Sequence, residues 1–206
     1  MNIVLEGSGS GWNEDSYFTI ESEFGVSDII RLQGSALTTL YFHNSYGLIS
    51  FTEVSSCDAF YSLPSTVNMI IVTNHACNRA SIVDFSTERL AHLVYLWIED
   101  ENYMYVRTFY VQNNSKLQYL HIQANSFTQK INGYGKDSSK SFHILNCESL
   151  VSIEIDRYSF SDFGGTFELK NLPQLQSIHF GIIGSDSNNF FGSSFVIRGI
   201  DMILSI

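Results

Sequence analysis

Three side chains able to hold a proton or a metal ion, His121, Glu154 and His179, fall at spacings of 33 and 25 residues in a chain of 206. A carboxylate set between two imidazoles could bind a metal or work as an acid/base pair, provided the segments carrying them lie side by side. If those segments are stacked strands about 4.8 Å apart, the outer imidazoles are about 10 Å apart, too far to share one ion, and a solvent-facing polar group in a sheet is the simpler reading. Gly7-Ser8-Gly9-Ser10-Gly11 looks like a phosphate-cradling loop, but it lacks the following Lys-Ser/Thr and a helix, so it reads as a flexible turn. Glu99-Asp100-Glu101 lacks the alternating spacing of a calcium loop and reads as a solvated edge. Cys57, Cys77 and Cys147 are an odd number without a CxxC pair, which points to buried free thiols. No metal or cofactor is expected.

Composition limits the partners. With 11 basic and 21 acidic residues the net charge is −10, which repels phosphate backbones and anionic lipid, so nucleic acid is not an expected partner. At 44% hydrophobic and 16% charged residues the chain has enough apolar material for a packed core, yet it contains no run long enough for a membrane span. Its 29 Ser, 15 Asn and 21 Ile against 6 Ala favour strands and turns and exclude a helical bundle. No basic segment followed by an apolar run opens the sequence, which leans towards an intracellular chain. The sequon Asn113-Asn114-Ser115 is compatible with secretion, and a cell-surface location stays open if the sequence is a fragment.

A repeat supplies the elements that position these residues. Leu37-x-x-Leu40-x-Phe42, Val67-x-x-Ile70-x-Val72, Leu93-x-x-Leu96-x-Ile98, Leu117-x-x-Leu120-x-Ile122, Leu150-x-x-Ile153-x-Ile155 and Leu175-x-x-Ile178-x-Phe180 are separated by 30, 26, 24, 33 and 25 residues. Spacings of this size belong to repeat arrays. A second alternating unit precedes the later copies: Thr108-Phe109-Tyr110-Val111-Gln112-Asn113, Ser141-Phe142-His143-Ile144-Leu145-Asn146, Thr166-Phe167-Glu168-Leu169-Lys170-Asn171 and Ser194-Phe195-Val196-Ile197-Arg198-Gly199, the last reaching Ile203. The period of two places the aliphatic residues on one face of each strand. Strands related by the same turn run parallel, and stacking them buries one continuous core, with the Phe-bearing unit as the opposite wall. Residues 1–36 form a capping or partial-repeat segment and 37–206 the array. Gly133–Ser138 and Gly184–Asn189 are expected as loops on one edge.

With the aliphatic residues inward, two columns must point out: Thr39, Met69, Tyr95, Tyr119, Ser152, Ser177, and Tyr41, Ile71, Trp97, His121, Glu154, His179. The N-terminal half of these columns is apolar and aromatic, the composition of binding hot spots. The expected contact set is Tyr41, Met69, Ile71, Tyr95, Trp97 and Tyr119, with His121 at its polar border.

Leu117-Gln118-Tyr119-Leu120-His121-Ile122-Gln123-Ala124-Asn125-Ser126-Phe127 resembles the leucine-rich repeat signature LxxLxLxxNxL at every required position, with Ile and Phe for Leu. Tyr158 and His75 stand where two other copies would carry the asparagine. The array is similar to the irregular, Phe-rich surface-protein (BspA-like) type, with strands on both walls. The resemblance implies a β-rich solenoid, a horseshoe of parallel strands less regular than usual, that recognises a protein, or a glycan, on its concave strand face without catalysis. Two alternatives remain: a parallel β-helix enzyme acting on polysaccharides, for which the outward face offers only Glu154 of the usual carboxylate pair, and a structural spacer in a longer surface array. Unpaired strand edges at the array's ends predict end-to-end self-association.

Overall fold

The computed structural model describes residues 52–131, 133–181 and 187–200, and the backbone of 5–6, 32–33, 39–44 and 47–51. The segment 1–36 with its glycine-rich turn and the boundary at 36/37 therefore lie outside the described residues, apart from two short strands, as do the side chain of Tyr41, Gly184–Asp186 and Ile203. The chain divides into two compact units, Met1–Glu53 and Val54–Ile206.

In the first unit β1 (Leu5–Glu6) pairs parallel with β2 (Leu32–Gln33), and β3 (Thr39–Asn44) pairs antiparallel with β4 (Gly47–Val54). The copy at Leu37 thus departs from the expected parallel arrangement. Asn44 is opposite Gly47, and a two-residue connection has no length for the crossover that parallel strands require.

The second unit opens with α1 (Cys57–Ser62), a helix the sequence reading did not anticipate. Ser56 caps it, its hydroxyl accepting the Ala59 N–H at 3.1 Å. At the other end the Arg89 guanidinium donates to the carbonyls of Phe60 and Leu63. Ten strands follow, alternating between two sheets. The first sheet holds β5 (Met69–Val72), β7 (Tyr95–Ile98), β9 (Tyr119–Ile122), β11 (Ser152–Ile155) and β13 (Ser177–Phe180) in that order. The second holds β6 (Asp84–Ser86), β8 (Thr108–Gln112), β10 (Ser141–Leu145), β12 (Thr166–Lys170) and β14 (Ser194–Arg198). Every neighbouring pair among these ten strands is parallel. The aliphatic copies from 67 to 175 therefore feed one sheet and the Phe-bearing units the other, as the two periods require.

Between the sheets lies an aromatic core. Phe85, Phe109, Phe142 and Phe167 stack at 5.0, 4.8 and 4.9 Å. A second column, Tyr103, Phe127, Phe160 and Phe190, stacks at 5.1, 4.7 and 5.0 Å. The columns meet edge to face, as in the 82° contact between Phe142 and Phe160. All four rings of the second column sit on residues with φ between 52° and 57°, a conformation bulky residues rarely adopt. Burial of the rings holds them there.

A buried polar ladder runs beside this column. Asn102 Oδ1 accepts the Cys77 N–H at 2.9 Å, Ser126 Oγ the Asn102 N–H at 3.1 Å, and Ser159 Oγ the Ser126 N–H at 2.9 Å. Ser126 and Ser159 return their hydroxyl hydrogens to the carbonyls of Glu99 and Gln123. The ladder stands one residue after the consensus asparagine position. That position, held by His75, Asn125 and Tyr158, takes positive φ in the turn instead.

Cys57 and Cys77 are joined by a disulfide, which corrects the expectation of free thiols: the turn after β5 brings Cys77 to a Cα–Cα distance of 4.5 Å from Cys57 of α1. Cys147 alone is a free, fully buried thiol, and burial pushes it up to about 11. Among the described residues no helix is long and apolar enough to cross a membrane.

Candidate functional site

The outward face of the first sheet carries the two columns read from the sequence. Register aligns Met69, Tyr95, Tyr119, Ser152 and Ser177 in one, and Ile71, Trp97, His121, Glu154 and His179 in the other. Exposure along them rises from the N-terminal to the C-terminal strands. Met69, Ile71 and Tyr95 are only 8%, 4% and 6% exposed, so the apolar half is not open. Trp97, Tyr119 and His121 are half-buried, while Glu154 and His179 are exposed. Ring-on-ring contact contributes to this burial: Tyr95 lies 5.9 Å from Tyr119 and 6.3 Å from Trp97, and the Trp97 and His121 rings stack at 4.7 Å and 17°.

His121 joins the aromatic and the charged parts. Its Nδ1 lies 3.4 Å from Glu154 Oε2 and its Nε2 3.6 Å from Asp156 Oδ2. Of the expected His121–Glu154–His179 group, the described structure pairs the first two; His179 is the register partner of Glu154 on the outer strand. Asp156 was missed, although the period of two that aligns Ser152 and Glu154 reaches it. Burial and the nearby Glu154 carboxylate hold the Tyr95 hydroxyl well above the ordinary tyrosine range, so it stays a neutral hydrogen-bonding group. The indole Nε1 of Trp97 is buried with no acceptor.

The second sheet repeats this arrangement on its own outward face, where the sequence reading placed nothing. Tyr110, His143 and Glu168 are in register; the first two rings stack at 4.6 Å and 15°, and His143 Nδ1 lies 3.1 Å from Glu168 Oε2. Alternation applied to the Phe-bearing units would have found them.

The acidic run is not a solvated edge throughout. Glu99 is buried, with Oε2 accepting the Asn74 N–H at 3.1 Å, and Glu101 faces His75 at 3.4 Å. Among the described residues no group of three or more His, Cys, Asp or Glu side chains is placed to hold a metal ion. Comparison of the chain with protein-family models, with curated proteins and with solved structures gives no match.

Proposed function

We propose that the chain is a non-catalytic recognition module, an irregular leucine-rich-repeat-like solenoid that binds a protein partner, or a glycan, through the outward face of its first sheet. Support for the solenoid reading is the alternation of ten strands between two parallel sheets in the order of the sequence repeat. The observation that carries the function is the row Trp97–His121–Glu154, in which a large ring, an imidazole and a half-exposed carboxylate follow one another on adjacent strands. Such a row offers flat apolar area beside hydrogen-bonding groups, the combination that anchors protein and sugar ligands alike. The contact set moves away from Met69, Ile71 and Tyr95 towards Trp97, Tyr119, His121, Glu154 and Asp156, and Tyr41 lies outside the residues whose side chains are described. The Cys57–Cys77 disulfide favours an oxidising compartment, and so a module working at or beyond the cell surface.

The test is a panel of immobilised peptides and oligosaccharides probed with the chain and with a Tyr119→Ser/Glu154→Ser variant. Binding lost in the variant, with its unfolding temperature unchanged, supports the reading. Binding that survives in the folded variant, or release of reducing ends from a polysaccharide, overturns it.

A further inference from the structure

Lys140 and Asp162 meet inside the second unit, Nζ to Oδ2 at 2.8 Å, with both side chains more than nine-tenths buried. Lys140 stands immediately before β10 and Asp162 in the turn after β11, so the contact ties together two strands' worth of chain on opposite sheets. The Gln129 N–H donates to the same Oδ2 at 3.3 Å. Asp162 Oδ1 is buried and has no hydrogen-bond partner. The Phe163 ring centre lies 5.4 Å from Nζ.

Glycines allow the surrounding backbone to close tightly here. A Cβ on Gly135 would come within 3.1 Å of Asp162 Cβ, and one on Gly165 within 2.5 Å of the Lys140 carbonyl oxygen. The pair is thus enclosed, and in such a place the ionic form carries a heavy desolvation cost. The 2.8 Å contact holds the nitrogen and the carboxyl group together, shielded from bulk water.

We propose that Lys140 and Asp162 condense to an intramolecular amide. One proton passes from Nζ to Oδ2 along their 2.8 Å contact. Nζ attacks Cγ, the N–Cγ bond forms, Oδ1 carries the negative charge of the tetrahedral stage, and the Cγ–Oδ2 bond breaks. Oδ2 leaves as water with the proton it received and one further proton from the nitrogen, and Oδ1 becomes the amide carbonyl oxygen; nothing is oxidised or reduced and no co-reactant is required. The assignment of the oxygens follows from the contact along which the proton moves. The product replaces two buried charges with one neutral amide, and it fastens the longest repeat step, 33 residues between Leu117 and Leu150, to the turn that follows it.

Intact-mass measurement on the full chain tests this, after folding with the disulfide formed and then reducing and denaturing. The expected result is a mass lower by one water molecule, a proteolytic fragment in which the Lys140 and Asp162 peptides are linked, and full mass in Lys140→Arg. Incubation in denaturant from the outset should give no such loss. A folded wild-type chain that keeps its full mass after several days at neutral pH, with Lys140 and Asp162 recovered in separate peptides, overturns the proposal.

Discussion

Asn102 shows at the scale of one residue how this core tolerates polarity. Its Oδ1 serves the Cys77 N–H, and its Nδ2 serves the carbonyls of Thr73 and Glu99 at 2.8 and 3.1 Å. Asn102→Ala should orphan the buried Cys77 N–H, while the Thr73 and Glu99 carbonyls keep the Ala76 N–H and the Ser126 hydroxyl, and cost about 1–3 kcal/mol; urea unfolding followed by tryptophan emission would measure it. Cys147 gives a pH prediction. Its thiol titrates near 9.0 in the unfolded chain and about 11 in the fold, so the fold favours the protonated form. That stability is complete below pH 9 and is lost as pH rises towards 11. The wild type should therefore lose more stability than Cys147→Ala across that window in parallel thermal melts, and equal slopes would sink the assignment. These residues were only partly legible beforehand. Alternation aligned His121 with Glu154, but nothing in the period says that the buried ladder falls on Asn102, Ser126 and Ser159, one place after the signature asparagine. That choice is made by the turn, where two positive-φ residues enclose the ladder position.

At the scale of elements, the strands were legible and their surroundings were not. The apolar residues at spacing two located β5, β7, β9, β11 and β13, because burying one aliphatic face leaves no other register. β6, only Asp84–Ser86, and α1 escaped because each is too short to show a period. Open exposure of Met69, Ile71 and Tyr95 was misjudged for a different reason: alternation tells which way a side chain points but not what else covers it. The α1 region also carries the disulfide. A bridge closing a loop with a sequence separation of 20 stabilises by about 3 kcal/mol through the unfolded chain, and more where the loop is longer. Cys57→Ser/Cys77→Ser should thus unfold at lower denaturant by that amount, and a reducing agent should shift the wild type to the same midpoint while leaving the double variant unmoved.

For the whole molecule, the edge at β14, the last strand of the second sheet among the described residues, matters most. Phe195 and Ile197 are 54% and 55% exposed, and Phe191 nearby is 49% exposed. A strand edge combined with exposed apolar side chains is a template for another strand. The isolated chain is expected to associate at rising concentration, and Phe195→Lys/Ile197→Lys to suppress this; sedimentation velocity at several concentrations decides, and a wild type that stays monomeric refutes it.

The register of the two sheets has a consequence for how such a chain can diversify. Steps of 24 and 33 residues both advance the array by one strand spacing, about 4.8 Å, so contour length and axial length are uncoupled. Residues added in a turn widen the flank and leave the axis unchanged. The Trp97–His121–Glu154 row therefore behaves as a fixed ruler, against which flanking turns can be lengthened, shortened or exchanged without shifting any mark on it.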